Sequence, residues 1–314
     1  MSELQSATDV LMIRPVRFIG NPQTSSSNVF QQIDAVPYDE AQRRALTEFD
    51  ALAEALRRAG VGVHVVEDTP EPHTPDSIFP NNWVSFHADG TVVLYPMLAP
   101  NRRLERRADL LEALSAQHGF FGSRVIDLTH YEQEEKFLEG TGSLVLDRIN
   151  RVAYACVSPR TDLDVLGDFA QQLDYDVVAF EATDSNGYPI YHTNVLMSVG
   201  TRFAAVCAAC IREDAREAVL ERLRVTGRAL LELSYAQMHA FAGNLLEVRS
   251  DTGALVAALS QQALDSLSAQ QRAFLMERVD QLIAVPIPTI ETLGGGSVRC
   301  MLAEVHLPKK HAGV

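Results

Sequence analysis

Four segments carry residue types able to do chemistry. The first is TLGGGSVRCMLAEVHLP, Thr292 to Pro308, in which Gly294, Gly295 and Gly296 lead into Cys300. A cysteine nucleophile needs thiolate character, a proton-transfer partner and somewhere for developing charge to go. Glycines beside it permit positive φ and close approach of a substrate to the backbone. A core thiol next to a flexible turn explains the same residues, and the segment alone leaves the two readings balanced. The second segment, NGYPIYHTNVLMS, sets His192 between a turn and an apolar strand. An imidazole there is placed for acid or base work near neutral pH. A lone histidine is more often a plain core or surface residue.

The third segment, KFLEGTGSLVLD, holds Glu139 ahead of glycines and a strand. A carboxylate there can orient an imidazole or accept from a substrate N–H group; an ordinary turn carboxylate is the alternative. The fourth, HTPDSIFPNNWVSF, is broken by Pro75, Pro80, Asn81 and Asn82 and carries Asp76, Phe79 and Trp83. Ordering such a segment takes packing or a ligand. Trp83 is expected in the core.

These residues need a scaffold. The chain has 314 residues, 46% hydrophobic and 22% charged, as expected of a globular protein with a sizeable core. The net charge of −14 and the isoelectric point near 5.1 argue against nucleic acid and anionic membranes as partners. The densest basic run, NRRLERR at Asn101–Arg107, is short and contains a glutamate. The first residues, MSELQSATD, show no signal peptide, and VLMIRPVRFIG is too short and too charged to span a bilayer, so a cytoplasmic location is expected. Four cysteines without a disulfide framework fit a reducing compartment. Cys207 and Cys210 form a C-x-x-C pair, but no second pair or neighbouring histidine completes a zinc site, and two small apolar residues at a strand end are the simpler reading.

Extended stretches and amphipathic helices alternate. VLMIRPVRF reads as a strand, PYDEAQRRALTEFDALAEALRRAG as a helix, and VGVHVVED as a strand. Hairpins are predicted at Asp89–Gly90, near Arg148–Asn150, and between TNVLMSVG and RFAAVCAACI. Helices are predicted over about 102–118, 213–226 and 269–283. The rhythm of strand, helix, strand and hairpin returns at about 60 residues. It predicts an α/β fold of repeated units and argues against a plain doubly wound parallel sheet.

Taken in order, the Asp/Phe/Asn loop, LEG, SPRT, the strand-mouth histidine and the glycine-led cysteine resemble the guanidine-modifying superfamily of amidinotransferases, arginine deiminases and dimethylarginine hydrolases. The resemblance runs over nearly the whole chain. It implies a five-bladed α/β-propeller (pentein) of pseudo-symmetric ββαβ units, as one catalytic domain over residues 1–314. It also implies a central site with Cys300 as nucleophile, His192 as acid/base and Glu139 as carboxylate partner. Arg160, in SPRTD, matches an arginine that holds a substrate α-carboxylate; Arg102, in APNRR, matches a second on a mobile loop. Asp76 would face the α-amino group and Phe79 the aliphatic stem. No metal or organic cofactor is implied. A small amino-acid substrate is the expected partner, and assembly into a homo-oligomer is left open.

Two positions depart from the superfamily pattern. Asn82 stands where members acting on guanidinium usually carry an aspartate, and Asn194 follows His192 where deiminases and amidinotransferases tend to have H-x-D. A guanidinium is cationic and donates only; a ureido group is neutral and also accepts. Setting an unpaired buried aspartate against a neutral urea would cost several kcal/mol, on the order of the buried-charge penalty. The expected reaction is therefore hydrolysis of citrulline to ornithine, carbon dioxide and ammonia. A deiminase or dimethylarginine-type hydrolase, an amidinotransferase and a non-catalytic propeller are the alternatives.

Overall fold

The computed structural model describes residues 3–33 and 36–309. Its strands form five three-stranded sheets of one repeated plan. The chain enters with β1 (Asp9–Arg14) and β2 (Gly62–Glu67), joined through the helix Tyr38–Arg58. Next come β3 (Val84–Phe86), β4 (Thr91–Leu94) and β5 (Arg124–Asp127), then β6 (Leu144–Asp147), β7 (Val152–Cys156) and β8 (Asp176–Phe180). The fourth sheet is β9 (Met197–Val199), β10 (Phe203–Val206) and β11 (Ala229–Glu232), and the fifth β12 (Leu246–Arg249), β13 (Leu255–Ser260) and β14 (Gln281–Val285). Last, β15 (Ala303–Val305) returns to β1 and completes the first sheet in the order β15-β1-β2.

In each sheet the first strand pairs antiparallel with the middle one, and the middle one pairs parallel with the strand beyond the helix. This is the ββαβ unit, five times over, in a five-bladed α/β-propeller. Ring closure is set by Asp9↔Val305, Val10↔Glu304 and Leu11↔Ala303.

Burial explains which segments take which place. Middle strands are covered on both faces and read as unbroken apolar runs, such as VAYAC, FAAV and LVAALS, every residue of which is buried. Outer strands such as β5 and β8 are largely exposed. The helix Tyr38–Arg58 buries Ala41, Ala45, Phe49, Leu52 and Leu56 along one face. Each large side chain contributes about 1.5–3 kcal/mol on leaving water.

The structure corrects three local expectations. The helix predicted over 102–118 is a 3₁₀ segment, Pro100–Glu105, followed by an α-helix from Ala108. The helix predicted to reach Ile283 ends at Met276, because Gln281–Val285 is drawn into parallel pairing with β13. TNVL, read as strand, is a helical turn at Thr193–Leu196. Cys300 lies in a 3₁₀ turn, Val298–Met301, ahead of β15. Trp83 is in the core, as expected. No helix among the described residues is long and apolar enough to cross a membrane.

Candidate active site

The same local device delivers the key side chains: a short helical turn runs into the first strand of a blade. The 3₁₀ turn Pro80–Asn82 precedes β3 and carries Asn82. Glu139 caps the turn Gly140–Ser143 before β6, and His192 caps Thr193–Leu196 before β9. The turn Val298–Met301, holding Cys300, precedes β15. The five-fold plan aims these turns at the propeller axis.

There, a small cavity of about 20 Å³ is lined by Asp76, Phe79, Asn82, Arg102, Arg160, Tyr191, His192, Cys300 and residues of the segments Thr24–Asn28 and Gly294–Gly296. Seven of the nine residues singled out in the sequence thus line one cavity. The other two stand directly behind it. Glu139 Oε2 lies 2.8 Å from His192 Nε2, and Asn194 Nδ2 donates to Cys300 Sγ at 3.5 Å.

Glu139 is fully buried. Burial works to raise its pKa, but the Arg160 guanidinium, the His192 contact and Arg102 hold it well below the usual carboxylate range. An ionised Glu139 accepts from Nε2–H, which leaves Nδ1 as the basic nitrogen of a neutral ring. Burial pushes His192 down to about 4, against the pull of Glu139, so the ring is neutral near pH 7. Nδ1 packs tightly beside Gly142: a Cβ there would come within 2.7 Å of Nδ1 and 2.4 Å of Asn82 Nδ2. Only glycine lets the imidazole and the amide come this close to the turn.

Cys300 Sγ accepts from two amides, Asn194 Nδ2 at 3.5 Å and Asn244 Nδ2 at 3.3 Å. The glycine run holds the approach to it. Gly295 takes φ +64 as the left-handed cap of the helix Pro288–Gly294. Its carbonyl accepts from Tyr191 Oη at 2.6 Å and Asn28 Nδ2 at 3.1 Å. The N-terminus of that helix is held by Glu48, which accepts from Thr289 N and Ile290 N, both at 3.0 Å.

Both arginines are buried and engaged within the protein. Arg102 makes a two-pronged contact with Glu105, Nε–Oε1 and Nη2–Oε2 both 2.9 Å, and its Nη1 donates to Asn82 Oδ1 at 2.8 Å. Arg160 Nη1 donates to Glu139 Oε2 at 3.3 Å, and its Nη2 to Ser27 Oγ at 2.6 Å and Thr24 O at 3.2 Å. Asp76 Oδ2 accepts from Asn21 Nδ2 at 2.7 Å. Several buried atoms at the site have no partner: Asp76 Oδ1, Asn82 Nδ2, Arg160 Nε and Asn194 Oδ1.

Sequence reasoning did not find Asn244, Gly142, Glu105, or the N-terminal segment GNPQTSSSN that supplies Asn21, Thr24, Ser27 and Asn28. The signal in that segment was a dense run of amides and hydroxyls between a strand and a helix. The remaining cysteines lie elsewhere: Cys156 is pushed up to about 12 by burial, and Cys207 and Cys210 face each other beside Met238. No group of three His, Cys, Asp or Glu side chains among the described residues is placed to hold a metal.

A five-bladed propeller with cysteine, histidine and carboxylate gathered on its axis is the arrangement of the guanidine-modifying superfamily. A family model described as N,N dimethylarginine dimethylhydrolase, eukaryotic, matches residues 14–307, and the chain belongs to that family. No curated protein matches its sequence. Among solved structures it is similar to unliganded AgrE, with TM-score 0.74 and 19% identity over 97% of this chain and 40% of that one. It is likewise similar to ArgZ, an arginine dihydrolase from the ornithine–ammonia cycle in cyanobacteria, with TM-score 0.73 and 19% identity over 96% of this chain and 41% of that one. A third is a variant of DDAH from Pseudomonas aeruginosa complexed with citrulline, with TM-score 0.64 and 13% identity over 95% of this chain and 99% of that one. At these identities the likeness is one of fold. The chain spans about two fifths of full-length ArgZ and AgrE.

Proposed function

We propose that the protein hydrolyses the ureido group of citrulline, with Cys300 as nucleophile, His192 as proton carrier and Glu139 as the carboxylate that sets the ring's tautomer. The observation that carries the choice of substrate is the unpartnered amide donor of Asn82 in the cavity lining. Arg102 Nη1 occupies Asn82 Oδ1, so the free end of that amide is a donor, Nδ2. Asn194 gives its Nδ2 to the sulfur, so its free end is an acceptor, Oδ1. A ureido carbonyl complements the Asn82 donor, whereas a guanidinium has no acceptor for it; Asn194, behind the cavity, does not discriminate between the two. Glu139 and Glu105 are already matched by Arg160 and Arg102, which leaves no unpaired carboxylate at the reacting end for a cationic substrate.

Cys300 gives its proton to His192 and attacks the ureido carbon, whose carbonyl electrons move onto oxygen. Amide N–H groups, with Asn82 Nδ2 first among them, stabilise that charge. The C–N bond to the side-chain nitrogen breaks, and the imidazolium protonates the departing amine, giving ornithine and an S-carbamoyl cysteine. Water then attacks, His192 takes its proton and returns it to the thiolate, and the released carbamic acid falls apart into ammonia and carbon dioxide. Asp76 Oδ1 and Arg160 Nε, both without partners, suit the α-amino and α-carboxylate groups. Arg102, committed to Glu105, serves this reading by orienting Asn82. The citrulline held by the P. aeruginosa relative adds support for a ureido amino acid fitting such a site.

The family match favours a second reading, hydrolysis of arginine or a methylated arginine. Incubating the purified protein separately with citrulline, arginine and dimethylarginine, and measuring ornithine, citrulline and ammonia, decides between them. Ornithine from citrulline is expected. Turnover of arginine to citrulline with citrulline left intact sinks the ureido reading.

A further inference from the structure

Four of the five blades have a named polar residue on the turn entering the first strand: Asn82, Glu139, His192 and Cys300. In the remaining blade that position belongs to Asn244, two residues before β12. Asn244 has no exposed surface. Its Nδ2 donates to Cys300 Sγ at 3.3 Å and to Asn194 O at 3.0 Å, using both of its hydrogens. Its Oδ1 accepts from Arg299 N at 3.1 Å, so the backbone next to the cysteine decides which way the amide points. Sγ to Oδ1 is the longer contact, 3.7 Å. The neighbouring Arg299 side chain is turned away, to Glu304 at 2.9 Å and Leu302 O at 2.9 Å.

We infer that Asn244 is a catalytic residue that holds the Cys300 sulfur as a thiolate, its amide fixed in the donating orientation by the Arg299 N–H. A sulfur that accepts from two amides is stabilised when it carries charge, since hydrogen bonds to ionised acceptors are about twice as strong as those to neutral ones. Asn194 supplies the second donor and is itself held by Asn244 through its carbonyl. Asn244 thus acts at the attack step and again when thiolate leaves the S-carbamoyl intermediate. The inference rests on Cys300 being the nucleophile.

The test is the rate of Cys300 alkylation by iodoacetamide, followed by mass spectrometry across the neutral and alkaline range, in the unmodified protein and in Asn244→Ser and Asn244→Asp. In the unmodified protein Cys300 is expected to label fastest of the four cysteines, with turnover lost in step. Serine is too short to reach the sulfur, and labelling at neutral pH is expected to slow by about tenfold. Aspartate sets a carboxylate against the sulfur and slows it further. If Cys300 labels no faster than Cys156, Cys207 and Cys210, the nucleophile reading fails and takes this inference with it. If Cys300 labels selectively but both variants, folded by circular dichroism, follow the unmodified profile, Asn244 is not a thiolate donor while Cys300 keeps its role.

Discussion

Arg102 Nη1 donates to Asn82 Oδ1 at 2.8 Å, and this contact decides which end of the amide is left for a substrate. An aspartate at position 82 would still accept from Arg102 but would present an acceptor in place of the free donor. Asn82→Asp is predicted to lower kcat/KM for citrulline by about 100-fold, the loss of a charge-assisted hydrogen bond in the transition state. Relative activity on arginine should rise. Steady-state kinetics on both substrates checks it, and an unchanged ratio of the two rate constants rejects the role given to Asn82.

The His192–Glu139 contact predicts a pH profile. Burial holds His192 near 4, below its ordinary 6.5, so the ring stays neutral and able to take a proton well into the acid range. The acid limb of kcat/KM is therefore expected near pH 4, and a limb centred at 6.5 contradicts the assignment. Stability follows the same groups. Between 6.5 and about 4 the unfolded chain binds a proton at this ring that the folded protein does not, so stability falls as pH drops through that window. Glu139, also held low, adds a loss in the same direction. Urea unfolding at one pH above the window and one inside it measures the difference.

Gly142→Ala tests the crowding behind the imidazole. The added methyl meets Asn82 Nδ2 and His192 Nδ1 at separations no real Cβ tolerates. Displacing either group by about 1 Å is expected to lower kcat by about 100-fold. The melting temperature should drop by only a few degrees, about the cost of one overpacked position. Full activity in the alanine variant excludes the tight geometry.

Glu48 tests the support beneath the cysteine. It caps Thr289 and Ile290 at the start of the helix that leads to Gly295 and Cys300. Glu48→Ala strands two buried N–H groups and is predicted to destabilise the protein by about 2–3 kcal/mol. The midpoint of urea unfolding reads this directly; a midpoint equal to that of the unmodified protein removes the capping role.

The sequence disclosed the blades better than the ring. Strand, helix and hairpin punctuation located most elements, because middle strands are buried on both faces and the helices carry one apolar stripe. The predicted helix over 269–283 runs into the start of β14 because the apolar residues there fit either period, and only pairing with β13 decides the matter. The blade shared by β15 and β1 has no local signature, since its halves lie at opposite ends of the chain. For the site, ordered motifs pointed to nine residues that the fold gathers at one place. Asn244 stayed hidden because an asparagine before a strand is also an ordinary turn residue. Arg102 was read as a ligand for substrate, while its partner Glu105, three residues on, sits in the same basic run. Which of two carboxylates an arginine fork meets is a tertiary fact.

Ring closure also sets when the protein becomes competent. Glu139, His192 and Asn244 emerge from the ribosome before Cys300, and β15, the partner of β1, is the last strand to be synthesised. A chain of such high contact order completes its slowest pairing last. A chain terminated ahead of residue 300 therefore carries Glu139, His192 and Asn244 without the thiol.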